Sequence, residues 1–258
     1  MATTNKRPHL TLLGAGIGDP DLITVKGTKA LAQADVVLYD ALVSKELLDY
    51  APAHAEKVFV GKRAGHHSVK QEDTNKLIVS FALSKGHVVR LKGGDPFIFG
   101  RGHEEMQYAE SFGIPTTYIP GITSSVAAAG LQNIPLTRRG ISESFWVVTG
   151  TTKSGELSSD LALAAQSTAT VVILMGTKKL QEIMNVFSAF GKQDMPVAII
   201  QNSSMPDEKV GVGTVSSIVE IAEKEQLGSP AVIVVGEVAA LHKEFPLEIS
   251  EKVKAYSS

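Results

Sequence analysis

The chain has 258 residues, of which 43% are apolar and 20% charged, with a formal net charge of −2 and no cysteine. This length holds one large domain or two ordinary ones, and the charge balance excludes binding of nucleic acid through a generally basic surface. Disulfide staples and thiolate chemistry are excluded, which makes the cytosol the expected compartment; no apolar run reaches the ~18 residues of a membrane span, and MATTNKRPH has no signal-peptide core.

In chain order, the first half presents the apolar runs LTLL (10–13), VVLY (36–39), KVFV (57–60), VVRL (88–91) and TYI (117–119). Between them TVKGTKALAQA, SKELLDYA and EDTNKLIVSFALSK carry helical patterns. Strands alternating with such stretches predict an α/β fold of βαβ units around a mostly parallel sheet. The second half predicts the same theme from FWVVTG (145–150), TVVILMG (170–176), VAII (197–200) and AVIVVG (231–236), with EKVGVGTV (208–215) as a further strand or hairpin. A domain boundary is expected between residues 118 and 144, where PGITSSVAAAG starts a helix with Thr123 or Ser124 as its cap.

In open α/β sheets ligands sit beyond the carboxyl ends of the strands. Here the first-half runs are followed by GAGIGD, Asp40, GKRAGHH, KGGDPFIFGRG and PGITSS, and the second-half runs by GTTK, GTKK and QNSS. Glycines, charges and hydroxyls collect at these ends, so that edge is the expected site. The bases from Lys57 to Arg101 are opposed only by Glu72, Asp73 and Asp95. Such a segment fits either an anionic small ligand or a solvated face.

GAGIGD is tested first against the dinucleotide fingerprint. Gly14 and Gly16 fit, but the third glycine falls at 18 and position 19 is Asp19, a negative charge where phosphates would lie. Asp35 and Asp40 stand near the distance of a ribose-binding acid, so an oxidoreductase reading survives only on them, beside a purely structural turn. KGGDPFIFGRGHEE (92–105) is more specific. Gly93 and Gly94 allow close backbone approach to a ligand, Asp95 offers a carboxylate suited to a sulfonium or ammonium, and Pro96 stiffens the turn. Phe97, Ile98 and Phe99 form an apolar wall, and Arg101 with Glu104 makes a charged pair one helical turn apart. The alternative is a tight loop with a surface ion pair.

LLGAGIGDPDLITVKG and VVRLKGGDPFIFGRGHEE, with YDALVS, VFVGKRAG, IPGITSS, IPLTRR and MPVAIIQN, together resemble the tetrapyrrole methylase family, above all its members that methylate uroporphyrinogen III. The likeness runs over roughly residues 9 to 245. It implies two α/β domains, 8–120 and 121–246, followed by a polar tail at 247–258, with S-adenosylmethionine folded into the cleft between the domains. It also implies a cytoplasmic homodimer without metal, membrane or nucleic-acid partners. The implied reaction is the conversion of uroporphyrinogen III to precorrin-2 by two successive methylations of adjacent pyrrole rings, with the donor leaving as S-adenosylhomocysteine.

The resemblance carries over Asp40 as proton acceptor and Lys62 as proton donor; Asp40 has the simpler reading of a cap for the helix at LVSKELL. The substrate has eight carboxylates, so arginines with planar forks are expected around it. Arg101, Glu104 and Arg139 are the implied substrate contacts, with Arg63, Arg90 and Arg138 as further candidates; Arg90, inside a strand, reads equally as a buried structural cation. His66 and His67 have no metal-ligand spacing. For the methyl donor the pattern implies Ile17, Gly93, Gly94, Asp95, Ile98, Thr123, Ser124, Met175 and Ser203. Ile17 and Ser203 depart from the proline and glycine common in relatives, and His103 replaces a common glycine. Met175 ends an apolar run and has a core reading beside the ligand one. A methylase of a later precorrin, or a non-catalytic adenosyl-binding sensor, are the alternatives.

Overall fold

The computed structural model describes residues 7–61 and 70–245. The chain divides into two compact units that meet in sequence between Thr123 and Ser124.

Unit one is built on β1 (His9–Gly14), β2 (Val36–Tyr39), β3 (Glu56–Phe59), β4 (His87–Lys92) and β5 (Thr116–Ile119), in the order β3-β2-β4-β1-β5. Every pairing is parallel. The helices are α1 (Val25–Leu31), α2 (Gln71–Lys85) and α3 (Gly102–Glu110). Strand alternation divides the apolar residues between two faces. Leu13, Val37, Val89 and Leu91 pack with Leu31 of α1 and with Leu47 and Leu48 of a 3-10 turn at Lys45–Tyr50. Leu10, Leu12, Val36, Leu38 and Val88 pack with Ile78, Val79 and Ala82 of α2 and Ala109 of α3. A parallel sheet covered on both faces needs such continuous apolar strands, each buried Leu, Ile or Val contributing ~1.5–3 kcal/mol.

The expected helix at SKELLDYA is thus a 3-10 turn, with Ser44 at its N-cap position. Asp40 does not cap it: its Oδ1 accepts from the Leu42 amide at 3.0 Å, closing a tight Asx turn before the 3-10 segment begins. The connection from β1 runs through α1 toward β2, whereas that from β4 runs through α3 to β5 on the other side of β1. The direction of winding therefore reverses between β1 and β4, the switch point where a ligand crevice forms.

Unit two contains β6 (Phe145–Thr149), β7 (Thr170–Leu174), β8 (Pro196–Gln201), β9 (Lys209–Thr214) and β10 (Ala231–Val235), ordered β6-β7-β10-β8-β9. The mostly parallel sheet expected here is not found. Only β6 and β7 pair in parallel, while β10 is antiparallel to β7 and β8, and β8 is antiparallel to β9. The physical reason is connection length: the loop at 202–208 between β8 and β9 is too short for a crossover, so the segment at 208–215 returns as a hairpin strand. Helix α7 (Ile218–Lys224) then carries the chain from β9 to β10, which slots between β7 and β8. One face is covered by α4 (Ser124–Leu131) through Ala128 and Ala129. The other is covered by α5 (Asp160–Gln166), α6 (Leu180–Ala189) and α7. Among the described residues no helix is long and apolar enough to cross a membrane.

Candidate functional site

At the switch point of unit one three backbone segments close on one another. Gly94 N donates to Gly16 O at 2.6 Å and Ala15 N to Lys92 O at 2.8 Å, which ties the loop after β1 to the loop after β4. A Cβ on Gly14 would lie 2.5 Å from Gly121 Cα and 2.7 Å from Gly94 O, so glycine is required for the ends of β1, β4 and β5 to meet. Gly94 itself has φ +67 and open space where a Cβ would stand, so it presents bare backbone. Beyond Gly16 (φ +81) and half-buried Ile17, the chain makes a 3-10 turn at Pro20–Leu22, with Asp19 Oδ1 accepting from Asp21 N at 2.9 Å. Helix α1 starts only at Val25, capped by Thr24, so no helix amino terminus follows the glycines directly. Asp35 Oδ2 accepts from the His87 amide at the first residue of β4, the opposite edge of the sheet. The first feature removes the helix terminus that would hold a pyrophosphate, and the second takes Asp35 away from the ribose position.

Asp95 is 7% exposed, and both of its carboxylate oxygens accept hydrogen bonds within the protein. Oδ1 accepts from Phe97 N at 2.8 Å, and Oδ2 from Tyr118 Oη at 2.6 Å and Gly121 N at 3.1 Å. It joins the loops after β4 and β5, where the sequence reading offered it directly to a cationic ligand. The Tyr118 ring stacks on Phe97 at 4.1 Å and 3°, and its hydroxyl pKa is pushed up to about 12 by burial first and then by Asp95. Downstream, Phe99 (φ 54) and Arg101 (φ 58) hold left-handed conformations. Cβ atoms on Gly100 or Gly102 would each lie 2.6 Å from Pro96 O. The tight loop leaves Phe97, Ile98 and Phe99 exposed, and pairs Arg101 with Glu104 on the surface at 2.6 Å.

Asp40, at the end of β2, places Oδ2 3.4 Å from Gly93 N, so the proposed proton acceptor stands beside the Gly93–Gly94 loop. Arg90 Nη2 lies 3.8 Å from the same oxygen. Arg90 is buried and cannot reach a substrate: its Nη1 donates to Leu91 O at 3.0 Å and its Nε to Glu105 Oε1 at 3.3 Å. Lys92 Nζ reaches the same Glu105 oxygen at 3.1 Å. Burial, then the Arg90 charge, pushes the Lys92 ammonium below its ordinary pKa against the opposing pull of Glu105. The structure bears out the reading of Arg90 as a buried structural cation; Lys92 and Glu105 went unread, although VVRLK places Arg90 and Lys92 on one strand face and so marks a charged spine under the loop.

In unit two the carboxyl ends of β6, β7 and β8 lie at one edge, because those three strands run in the same direction. Gly150 N donates to Leu174 O at 2.7 Å and Thr151 Oγ1 to Met175 O at 3.1 Å. Met175 is 52% exposed with φ 56, so its core reading is wrong: the side chain leaves the sheet in a left-handed conformation before Gly176. Ser203, between left-handed Asn202 and Ser204, is buried with a hydroxyl that has no partner. Ser124 opens α4, and Thr123 immediately precedes it. Arg138 is half-buried, its amide bonded to Ser142 O, and Arg139 is exposed. Lys62, Arg63, His66 and His67, like the tail at 247–258, lie outside the described residues.

Residues 9–219 match the family described as Tetrapyrrole (Corrin/Porphyrin) Methylases, and the chain belongs to that family. Within it, the chain is 48% identical over 229 residues to a uroporphyrinogen-III C-methyltransferase of Methanocaldococcus jannaschii, a match covering 88% of this chain and 95% of the relative. It is 45% identical over 251 residues to a siroheme synthase of Actinobacillus pleuropneumoniae, covering 97% of this chain but 51% of the relative, so the chain spans about half the length of the siroheme synthases it matches. Its fold matches a crystal structure of uroporphyrin-III C-methyl transferase from Thermus thermophilus complexed with S-adenyl homocysteine, with TM-score 0.78 and 37% identity over 90% of this chain and 99% of that one.

Proposed function

We propose that the chain is an S-adenosylmethionine-dependent C-methyltransferase that converts uroporphyrinogen III to precorrin-2 by two successive methylations of adjacent pyrrole rings. The observation that carries this reading is the glycine platform at the switch point, open above Gly94 and with no helix amino terminus behind it. Such a surface fits a folded adenosyl ligand that has no pyrophosphate. When bound, S-adenosylmethionine supplies a methyl group made electrophilic by its sulfonium.

The chain's own residues supply alignment and charge. Gly93 and Gly94 offer backbone, Ile17, Ile98 and Met175 offer apolar contact, and Thr123, Ser124 and Ser203 offer hydroxyls to the donor. Asp95 acts from behind, fixing the loops that present Gly93, Gly94 and Gly121. Arg101, with Glu104 orienting its fork, and Arg139 grip substrate carboxylates. Asp40 accepts the proton that the newly methylated ring system loses, and Lys62 returns one. The enzyme works as a cytosolic homodimer on a small-molecule substrate, without metal, membrane or nucleic acid.

Incubation with uroporphyrinogen III and labelled S-adenosylmethionine, followed by mass analysis, is expected to show two added methyl groups. Methylation of a later precorrin but not of uroporphyrinogen III would move the reading to another reaction of the family. Calorimetric binding of a dinucleotide in place of S-adenosylmethionine would overturn it.

A further inference from the structure

Glu105 has no task in the proposed reaction, and its environment is costly. It is 0% exposed; Oε1 accepts from Gln71 Nε2 at 2.9 Å, from Lys92 at 3.1 Å and from Arg90 at 3.3 Å, while Oε2 is buried without a partner. Replacing a buried ion cluster by apolar side chains of similar volume is often neutral or stabilising, so stability alone does not account for this carboxylate. Its geometry does something else. Glu105 holds the Nε side of the Arg90 guanidinium, the carbonyls of Leu91 and Leu38 hold Nη1 at 3.0 and 3.4 Å, and Nη2 is left facing Asp40.

We propose that Glu105 is a positioning residue for carbon methylation: by anchoring Arg90 it fixes the Asp40 carboxylate against the Gly93 amide at the ends of β2 and β4. The inference rests on Asp40 being the proton acceptor. Among the described residues the charged groups around Asp40 are Arg90 and Lys92 of β4, with Glu105 of α3 behind them, itself bonded to neutral Gln71 of α2. Without the Glu105 charge, two buried cations confront Asp40 alone. Arg90 is then drawn into direct pairing with Asp40 and pulls it from Gly93.

The test uses Glu105→Gln and Arg90→Lys in the full chain, with S-adenosylmethionine affinity measured by calorimetry and turnover of uroporphyrinogen III counted per donor-binding site. Small displacements of a catalytic group cost up to ~100-fold in rate, so each variant is expected to lower kcat ~10- to 100-fold with KM and donor affinity within about twofold of the parent. Because the two residues act in series, the double variant is expected to be no slower than Arg90→Lys alone. Unchanged kcat per donor-binding site, with only the folded fraction reduced, would overturn the proposal. So would additive losses in the double variant. If Glu105→Gln does not fold, Arg90→Lys decides alone, and parental kcat in it overturns the proposal. Asp40→Asn separates the two levels. Parental turnover in it removes the proton-acceptor reading and this inference with it; abolished turnover beside a fully active Glu105→Gln removes the Glu105 role alone.

Discussion

Tyr118→Phe isolates the bond that joins strand β5 to the loop after β4. The substitution keeps the ring, and with it the 4.1 Å stack on Phe97, and deletes only the hydroxyl 2.6 Å from Asp95 Oδ2. A hydrogen bond to a buried carboxylate is worth ~1.5–3 kcal/mol, so ~2 kcal/mol of stability is expected to go at neutral pH. For a unit of this size that lowers the midpoint by ~8 °C, measured by calorimetry or by circular dichroism. The hydroxyl also makes the loss pH-dependent. Its pKa rises from 10.0 to about 12 on folding, so its contribution is complete below pH 10 and disappears as pH climbs through about 12. Parent and variant therefore converge in stability across that alkaline window. With five tyrosines in the chain, the parent-minus-variant ultraviolet titration reports Tyr118 by difference. Equal midpoints at pH 7, or a difference titration centred at the ordinary tyrosine value, would refute the account of the Asp95 latch.

Gly14→Ala forces a Cβ to within 2.5 Å of Gly121 Cα, between backbone on both sides. It is expected to destabilise unit one by ~3 kcal/mol and to weaken donor binding measurably by calorimetry, because nothing nearby can rotate away. Met175→Gly relieves a left-handed non-glycine residue that is exposed and packs little, so its midpoint is expected to hold or rise by the equivalent of ~1 kcal/mol while donor affinity falls. Arg101→Ala breaks an exposed pair worth ~0–1 kcal/mol, so the melt should barely move. Its expected effect is on KM for uroporphyrinogen III, raised at least ~10-fold by the loss of a bidentate carboxylate contact, with donor affinity unchanged in calorimetry.

The strands were legible because each apolar run is bounded by glycine, proline or charge, and the parallel sheet of unit one follows from runs such as VVLY and VVRL alternating with helical stretches. In unit two the hairpin return at 208–215 was legible as one of two readings, but the direction and place of the last strand were not. Both depend on β10 inserting between β7 and β8, a long-range choice that no local pattern records. Among the site residues, the glycine loops and the Arg101–Glu104 pair could be read from residue type and spacing alone. The engagement of Asp95 could not, since its partners Tyr118 and Gly121 lie on another strand and loop. Arg90 was read two ways because a cation inside a strand has two solutions, and only the fold brings Glu105 of α3 underneath it.

Backbone strain separates the loops proposed to hold the donor from those that merely end a helix. Among the described residues seven non-glycine residues have positive φ: Phe99, Arg101, Asn133, Met175, Asn202, Ser204 and Gln226. Asn133 and Gln226 stand just past α4 and α7, with amides bonded to Gly130 O and Glu223 O, where a left-handed residue is the ordinary way for a helix to end. The other five have no such excuse. They follow β4, β7 and β8, each at a cost of ~1–3 kcal/mol that a relaxed loop or a glycine would avoid. Within each unit the strained positions gather after strand ends, beside exposed Phe99 in unit one and beside exposed Met175 and the partnerless Ser203 hydroxyl in unit two, which is the pattern expected of the loops proposed to hold the donor. Such loops must keep their shape without the ligand, and the energy to hold them comes from the buried strands below.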